Sequence, residues 1–423
     1  MIARLVTSLL AIGFAIGLAI APAVAAPIAI VGAKVHVAPG TTLEGATVVI
    51  DRGRITAVGV GVAVPTGATV IDGTGKVVTA GLIEPLSSVG LVGIDLEAAS
   101  VDGRFGDLDA VHADAIHAAY QAQDGFDPAA VTVPVARSGG VTTVVAAPAG
   151  GLVSGRSAVY ALDGSPAPVL AVAAMHGALG HDGAGAVGGS RGRALGLLRE
   201  LLDDASAFAA SRAAFDRNQS REMIADRLDL AALAPVLRRT VPLVLAIDRA
   251  ADIRAALRLA TELKVRLVIV GGAEAWQVAA ELAAAKVPVI LDPSANLPSH
   301  LDATDVRDDA PAVLAAAGVA VAVSTLGGNT SARTVRQLAG VAVGNGLPWD
   351  RALAAATTVP AAIYGLRDRG TVARGQVADV VVWSGDPLEL ATAAEVVIIG
   401  GAVQSAVSHQ TRLLDRYRRL PVP

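Results

Sequence analysis

Apolar and polar positions change rhythm twice along this chain. Residues 28–37, 46–51, 55–58 and 69–72 are short runs rich in Ile, Val and Thr, and Pro39-Gly40, Arg52-Gly53 and Pro65-Thr66-Gly67 separate them, which is the pattern of strands joined by tight turns. Runs of the same character return in 370–372, 378–383 and 396–401. A handful of short strands cannot bury both of its faces alone, so the two ends are predicted to pair into one small β-sandwich. Between them, strand-like runs at 82–84, 141–146, 169–173, 243–247, 267–270, 289–291 and 319–323 alternate with helical stretches such as 252–263 and 274–285. Each of those helices has an Ala/Leu face and a charged face, the rhythm of successive βα units around a parallel sheet. A closed (β/α)8 barrel needs one strand more, expected near 158–162 or after Gly192.

Two long excursions interrupt the alternation, at 92–131 and 181–240. Insertions of this length after barrel strands build lids and pocket walls, because ligands bind at the C-terminal ends of the strands. The second contains the glycine-rich run 183–192, which opens a helix near Ala194. An anion-binding loop would use such glycines, but the spacing fits no phosphate-loop pattern and follows no clear strand, so a flexible lid is the expectation.

Composition narrows the class. Hydrophobic residues make up 53% of the chain but aromatics only 3%, so the core is built from Ala and Val. The net charge of -4 is carried by dispersed residues, which excludes the basic footprint of a nucleic-acid binder. There is no cysteine, hence no disulfide and no thiolate nucleophile or ligand. A short basic start at 1–4, an apolar stretch at 5–21 and Ala23-Val24-Ala25 read as a secretory signal peptide over residues 1–25, with an uncleaved anchor as the alternative. The expected location is periplasmic or secreted, with no membrane contact after cleavage.

Several motifs carry a resemblance. Val77-Val78-Thr79-Ala80-Gly81-Leu82-Ile83-Glu84-Pro85-Leu86-Ser87-Ser88 leaves the first β region, and Ser138-Gly139-Gly140-Val141-Thr142-Thr143-Val144 begins the next strand. The stretch 229–237 leads to 241–253, and 352–362 and 370–382 close the chain. In this order they resemble the amidohydrolase superfamily, in its imidazolonepropionase-like branch, over nearly the whole chain. The resemblance implies a distorted TIM-type (β/α)8 barrel over 80–367, with a β-sandwich built from 26–79 and 368–423. It also implies a hydrolase of carbon–nitrogen bonds other than peptide bonds.

Members of that family hold divalent metal with histidines from strands one, five and six, a lysine or glutamate from mid-barrel, and an aspartate from strand eight. The metal lowers the pKa of a bound water and polarises a carbonyl, while the aspartate acts as general base. In this chain the strand-one positions hold Leu86 and Ser88, strand five offers Ala246 or Ile247, strand six Gly271 and strand eight Thr325. Four strands have each lost a ligand, so no metal and no other cofactor is expected at the usual site. Of the seven histidines, His36, His112, His117 and His409 fall away from strand ends.

His176 and His181 follow the strand at 169–173 and, with Asp182, Asp248, Asp292 or His300, could hold zinc or serve as acid and base. Loop histidines making ordinary hydrogen bonds are the plainer reading. Arg156, Asp292 and Asn296 are candidate substrate contacts; a solvated charge for Arg156 and turn chemistry for Asp292-Pro293-Ser294-Ala295-Asn296 are the competing accounts. No Gly-x-Ser-x-Gly elbow supports a serine triad. The leading expectation is an exported amidohydrolase-like protein without the metal centre, a pseudoenzyme that binds a small ligand or serves as an accessory subunit. Its expected partners are that ligand, further copies of itself or a related amidohydrolase. The alternative is an active hydrolase of cyclic amides or peptide-like substrates with a relocated site near His176 and His181, and a purely structural role is a third class.

Overall fold

The computed structural model describes residues 26–105, 115–217, 219 and 221–418. The signal-peptide segment and His112 lie outside the described residues. The first β region forms strands β1 (Ile28–Ala38), β2 (Thr41–Asp51), β3 (Arg54–Gly59), β4 (Thr69–Asp72) and β5 (Val77–Ala80). The barrel follows with β6 (Leu82–Ser87), β7 (Val141–Ala146), β8 (Val153–Ala161), β9 (Leu170–Ala178), β10 (Leu243–Ile247), β11 (Leu267–Gly271), β12 (Val289–Leu291) and β13 (Val321–Val323). Strands β14 (Val380–Trp383), β15 (Ala394–Ile399) and β16 (Ala402–Val403) then return to the first region.

The chain ends do pair: β14 runs antiparallel to β5, with Val382 opposite Val78. They form one hydrogen-bonded sheet in the order β16-β15-β14-β5-β1-β2-β3, with β4 beside β1, rather than two separate layers. The sheet curls around its own core of Ile30, Val35, Val48, Ile50, Val380 and Ile398. Trp383 joins it to the barrel. Its ring is fully buried, and its Nε1–H donates to Thr79 Oγ1 at 2.9 Å. A Cβ on Gly140 would stand 2.2 Å from that ring, and with φ at +81° the position admits only glycine.

The barrel sheet runs β13-β12-β11-β10-β9-β8-β7-β6. The eighth strand is β8, in the first of the two places expected, but it pairs antiparallel with both neighbours and no helix lies in its connections to β7 and β9. Its turn to β9 is built by Asp163, whose Oδ1 accepts the Ser165 N–H at 2.8 Å, and by Gly164 at φ +90°. The other ladders are parallel, and the strands are buried on both faces, which is why they read as unbroken apolar runs.

Strands β6 and β13 meet through polar bridges instead of a ladder. Gly327 N–H donates to Leu86 O at 2.9 Å, and Ser88 Oγ donates to Gly327 O at 2.8 Å. The interior is filled by small and β-branched residues such as Ile83, Val145, Val244 and Ile290, and the helix Thr358–Tyr364 packs against them.

The second excursion is a wall, not a lid. Its helix Arg191–Ala210 buries Leu198, Leu201, Leu202 and Phe208 in the main core. The glycine-rich run becomes the helix Gly180–Gly185 and a turn through Gly188 and Gly189, after which Ser190 caps the long helix by accepting the Arg193 N–H. In the first excursion, Phe126 stacks on Tyr160 of β8 at 3.5 Å between ring centroids.

Candidate functional site

The C-terminal ends of the barrel strands open into a cavity of about 420 Å³. Leu86, Val244, Val270, Leu291 and Leu326 supply apolar wall, and Asp182, Asp248, Asp292, His176, His300 and Arg307 supply the polar groups. Its place is the one the fold gives to ligands.

The positions where metal ligands would stand have other roles. Leu86 is apolar wall. Ser88 is spent on the β6–β13 closure. Gly271 has φ +81°, and a Cβ there would lie 2.5 Å from Asp248 Oδ1, so the Asp248 carboxylate occupies the space a strand-six side chain would need. Thr325 gives its N–H and hydroxyl to Glu84 at 3.3 and 3.4 Å. Among the described residues no three His, Asp or Glu side chains are grouped to hold a metal ion. The donor set therefore does not fit the family's metal centre.

In the cavity Asp248 pairs with His300, whose Nε2 stands 3.3 Å from Asp248 Oδ2. His300 Nδ1 accepts the Asp302 N–H at 3.3 Å, so the ring proton sits on Nε2 and points at Asp248. Both ring nitrogens are engaged, which makes His300 a positioning group and leaves Asp248 as the residue with acid–base capacity. Burial raises the Asp248 pKa, and Asp182 and Asp302 push the same way. The Ala273 N–H and His300 oppose them.

His181 stacks on His300 at 5.9 Å between ring centroids, so it faces the Asp248 pair and not His176. Arg191 backs the cluster, contacting the buried Asp302 and lying 3.3 Å from Asp252.

His176 lies deeper, 4% exposed, with Nε2 at 2.8 Å from Ser157 Oγ. Burial lowers its pKa to about 3, so the ring is neutral at physiological pH. Ser157 is fully buried and does not line the cavity, which removes it as a nucleophile. Asp292 accepts from Ser294 N–H and Oγ at 2.8 and 2.6 Å, the turn chemistry its sequence suggested, while one edge faces the cavity. Asn296 is exposed and outside the wall. Arg156 also stands outside it, donating through NH2 to Ala119 O at 2.8 Å. His36 contacts Thr42 in the sheet region, and His117 stacks on Phe105.

One polar residue passed over as architecture is Glu84, which is completely buried below the cavity. Burial pushes its pKa up to about 8, against donors on Ser324, Thr325 and Leu86. In its neutral form it can donate to Ser324 Oγ, which in turn donates to Leu86 O at 3.2 Å, a relay that ties β13 to β6. The sequence signal was an acid inside an otherwise apolar strand start.

A family model described as an amidohydrolase family matches residues 315–404. Among solved structures, the amidohydrolase from Thermotoga maritima MSB8 is similar at 26% identity and a TM-score of 0.80, covering 89% of this chain and 99% of that one. Molinate hydrolase is similar in fold at 18% identity and a TM-score of 0.55, covering 95% and 98%. So is N-isopropylammelide isopropylaminohydrolase from Burkholderia multivorans ATCC 17616, at 14% and 0.52, covering 91% and 100%. No curated protein matches in sequence. With the barrel, the sheet shared by both chain ends and the Gly81-Leu82-Ile83-Glu84 opening, these similarities give the chain the fold of the amidohydrolases it resembles.

Proposed function

We propose that this protein is a small-molecule-binding amidohydrolase relative in which the metal-dependent hydrolase centre has been replaced. The observation that carries this reading is the substitution at strand six: Gly271 leaves room for the Asp248 carboxylate where a metal-binding side chain would stand. The carboxylate-lined cavity supports ligand binding over a purely structural role. The test is metal analysis of the purified chain after growth with zinc and manganese. The expected result is far below one ion per chain, and stoichiometric metal surviving dialysis would overturn the proposal. Export is part of the same reading, and a mature form beginning at Ala26 is its check.

A second reading has one specific observation behind it: a cavity carboxyl of raised pKa, oriented by His300, has what a general base needs. Structural neighbours include hydrolases of carbon–nitrogen bonds, among them N-isopropylammelide isopropylaminohydrolase. On this reading the working group is Asp248. Lactams, imides and dipeptides would be turned over in the presence of chelator, and Asp248→Asn would abolish the turnover. Activity indifferent to that substitution ends this version.

A further inference from the structure

The charges and donors of the cavity specify a class of ligand. Three carboxylates face it, on Asp182, Asp248 and Asp292. The one guanidinium in the wall, Arg307, is held by two 2.7 Å bonds to Asp309 and lies 4.7 Å over the Trp276 ring, so its charge is already matched. Asp182 has no side-chain partner among the described residues. The mouth therefore offers negative charge beside the stacked His300 and His181, while Arg191 behind them is engaged with Asp302 and Asp252.

The floor offers the opposite polarity. Ser157 Oγ is sealed from solvent, and among the described residues its hydrogen-bond partner is His176 Nε2. If His176 donated to Ser157, the serine O–H would be buried without an acceptor, which costs more than the bond returns. Ser157 is therefore the donor, the imidazole proton sits on Nδ1, and no protein group among the described residues meets it. A side chain 96% buried by the complement of its 4% exposure presents this N–H in the cavity wall.

His176 is the register partner of Val244, and Asp248 lies four residues further along the same chain direction. At the rise of an extended chain that is about 13 Å between backbone positions. Apolar wall from Val244, Val270, Leu291 and Leu326 lies between.

We propose that the cavity binds a small organic cation: an ammonium held by Asp248 and Asp182 at the mouth, an apolar ring against the walls, and a hydrogen-bond acceptor meeting His176 at the floor. This deepens the ligand-binding reading above and rests on it.

Calorimetric titration of the purified chain with tyramine, para-ethylphenol and para-hydroxyphenylacetate tests it, because the three share ring and hydroxyl and differ in charge. Tyramine is expected to bind about tenfold more tightly than the neutral probe, with the anion weakest. Asp248→Asn and Asp182→Asn should each remove most of the tyramine advantage while leaving para-ethylphenol binding in place; Asp182 is exposed and without side-chain partners, so that variant tests charge without risk to the fold. His176→Phe should weaken tyramine and para-ethylphenol alike, by about tenfold.

Equal affinity for the three probes, preference for the anion, no binding of any of them, or an unaltered tyramine preference in both aspartate variants would overturn the cation assignment. Preference for the neutral or anionic probe would leave the ligand-binding reading standing. That reading fails instead on the metal analysis.

Discussion

Replacing Glu84 by Gln tests the electrostatics of barrel closure directly. The carboxyl is fully buried, and its pKa rises from an ordinary 4.5 to about 8. The sign follows from linkage: an acid whose folded pKa lies above its unfolded one releases its proton more readily on unfolding, so stability is greatest below pH 4.5 and is lost as pH rises toward 8. Each unit of displacement corresponds to about 1.4 kcal/mol. The wild-type chain should therefore carry a penalty of about 3 kcal/mol near pH 7 and about 4 kcal/mol near pH 8 relative to acid conditions, from this group alone.

Glutamine keeps an acceptor for the Leu86 and Thr325 N–H donors, and its amide N–H can replace the carboxyl O–H as donor to Ser324 Oγ. At pH 4.5 and below the two chains should differ by about 1 kcal/mol, one rearranged hydrogen bond. Above that, Glu84→Gln should gain on the wild type steadily, because its amide does not titrate. Urea unfolding of both proteins at several pH values gives the difference, in which every other titrating group cancels. A difference constant between pH 5 and pH 8 would refute the assignment of a neutral, buried acid at the β6–β13 junction.

His176 has the opposite sign. Its pKa lies below the ordinary 6.5, so stability falls as pH drops from 6.5 toward 3, and proton NMR of the imidazole should show no titration within the physiological range. Ser157→Ala strips Nε2 of its partner and should cost about 1–3 kcal/mol by urea unfolding, without shifting the cavity's carboxylates. Gly271→His, which reinstates the residue type a metal-binding relative would use, should destabilise by about 2–4 kcal/mol through its left-handed φ and the Asp248 contact, and should bind no zinc. Arg336, which donates to Pro387 O, Glu389 O and Thr392 O over the Trp383 ring, should lose about 3 kcal/mol on replacement by Met, read as a lower urea midpoint.

The fold was legible where local rules and tertiary structure agree. The apolar runs of β7, β10 and β11 and the Gly81-Leu82-Ile83-Glu84 start say barrel strand without help from long-range contacts. Strand β8 was harder because βα rhythm predicts a helix on either side of every strand, and β8 instead turns through Asp163-Gly164 into an antiparallel neighbour. The small β domain built from both chain ends was legible too, because alternation specifies which faces are buried; its continuity as one sheet folded over its own core was not, because that depends on how the strands bend.

The site was legible as a list of candidate groups at the strand ends, but not in how they pair. His300 was named among several possible companions of His176 and His181, yet its real partner is Asp248, 52 residues away, brought near by the strand-end loops. Glu84 meets Ser324 across a separation of 240 residues, which no local pattern encodes.

The absences themselves are connected. If the ligand positions had merely decayed, the residues there would be indifferent to one another, and restoring a histidine at any of them would be harmless. Three of them are committed elsewhere: Ser88 bonds Gly327 across the closure, Thr325 supports Glu84 in the same seam, and Gly271 is bare because Asp248 fills its space. Seam and cavity hold groups that exclude metal-binding side chains at these positions sterically and by hydrogen bonding. Building a metal site at these positions would thus require Asp248 and the seam to change together with them, and single histidine substitutions there should register as lost stability without zinc binding.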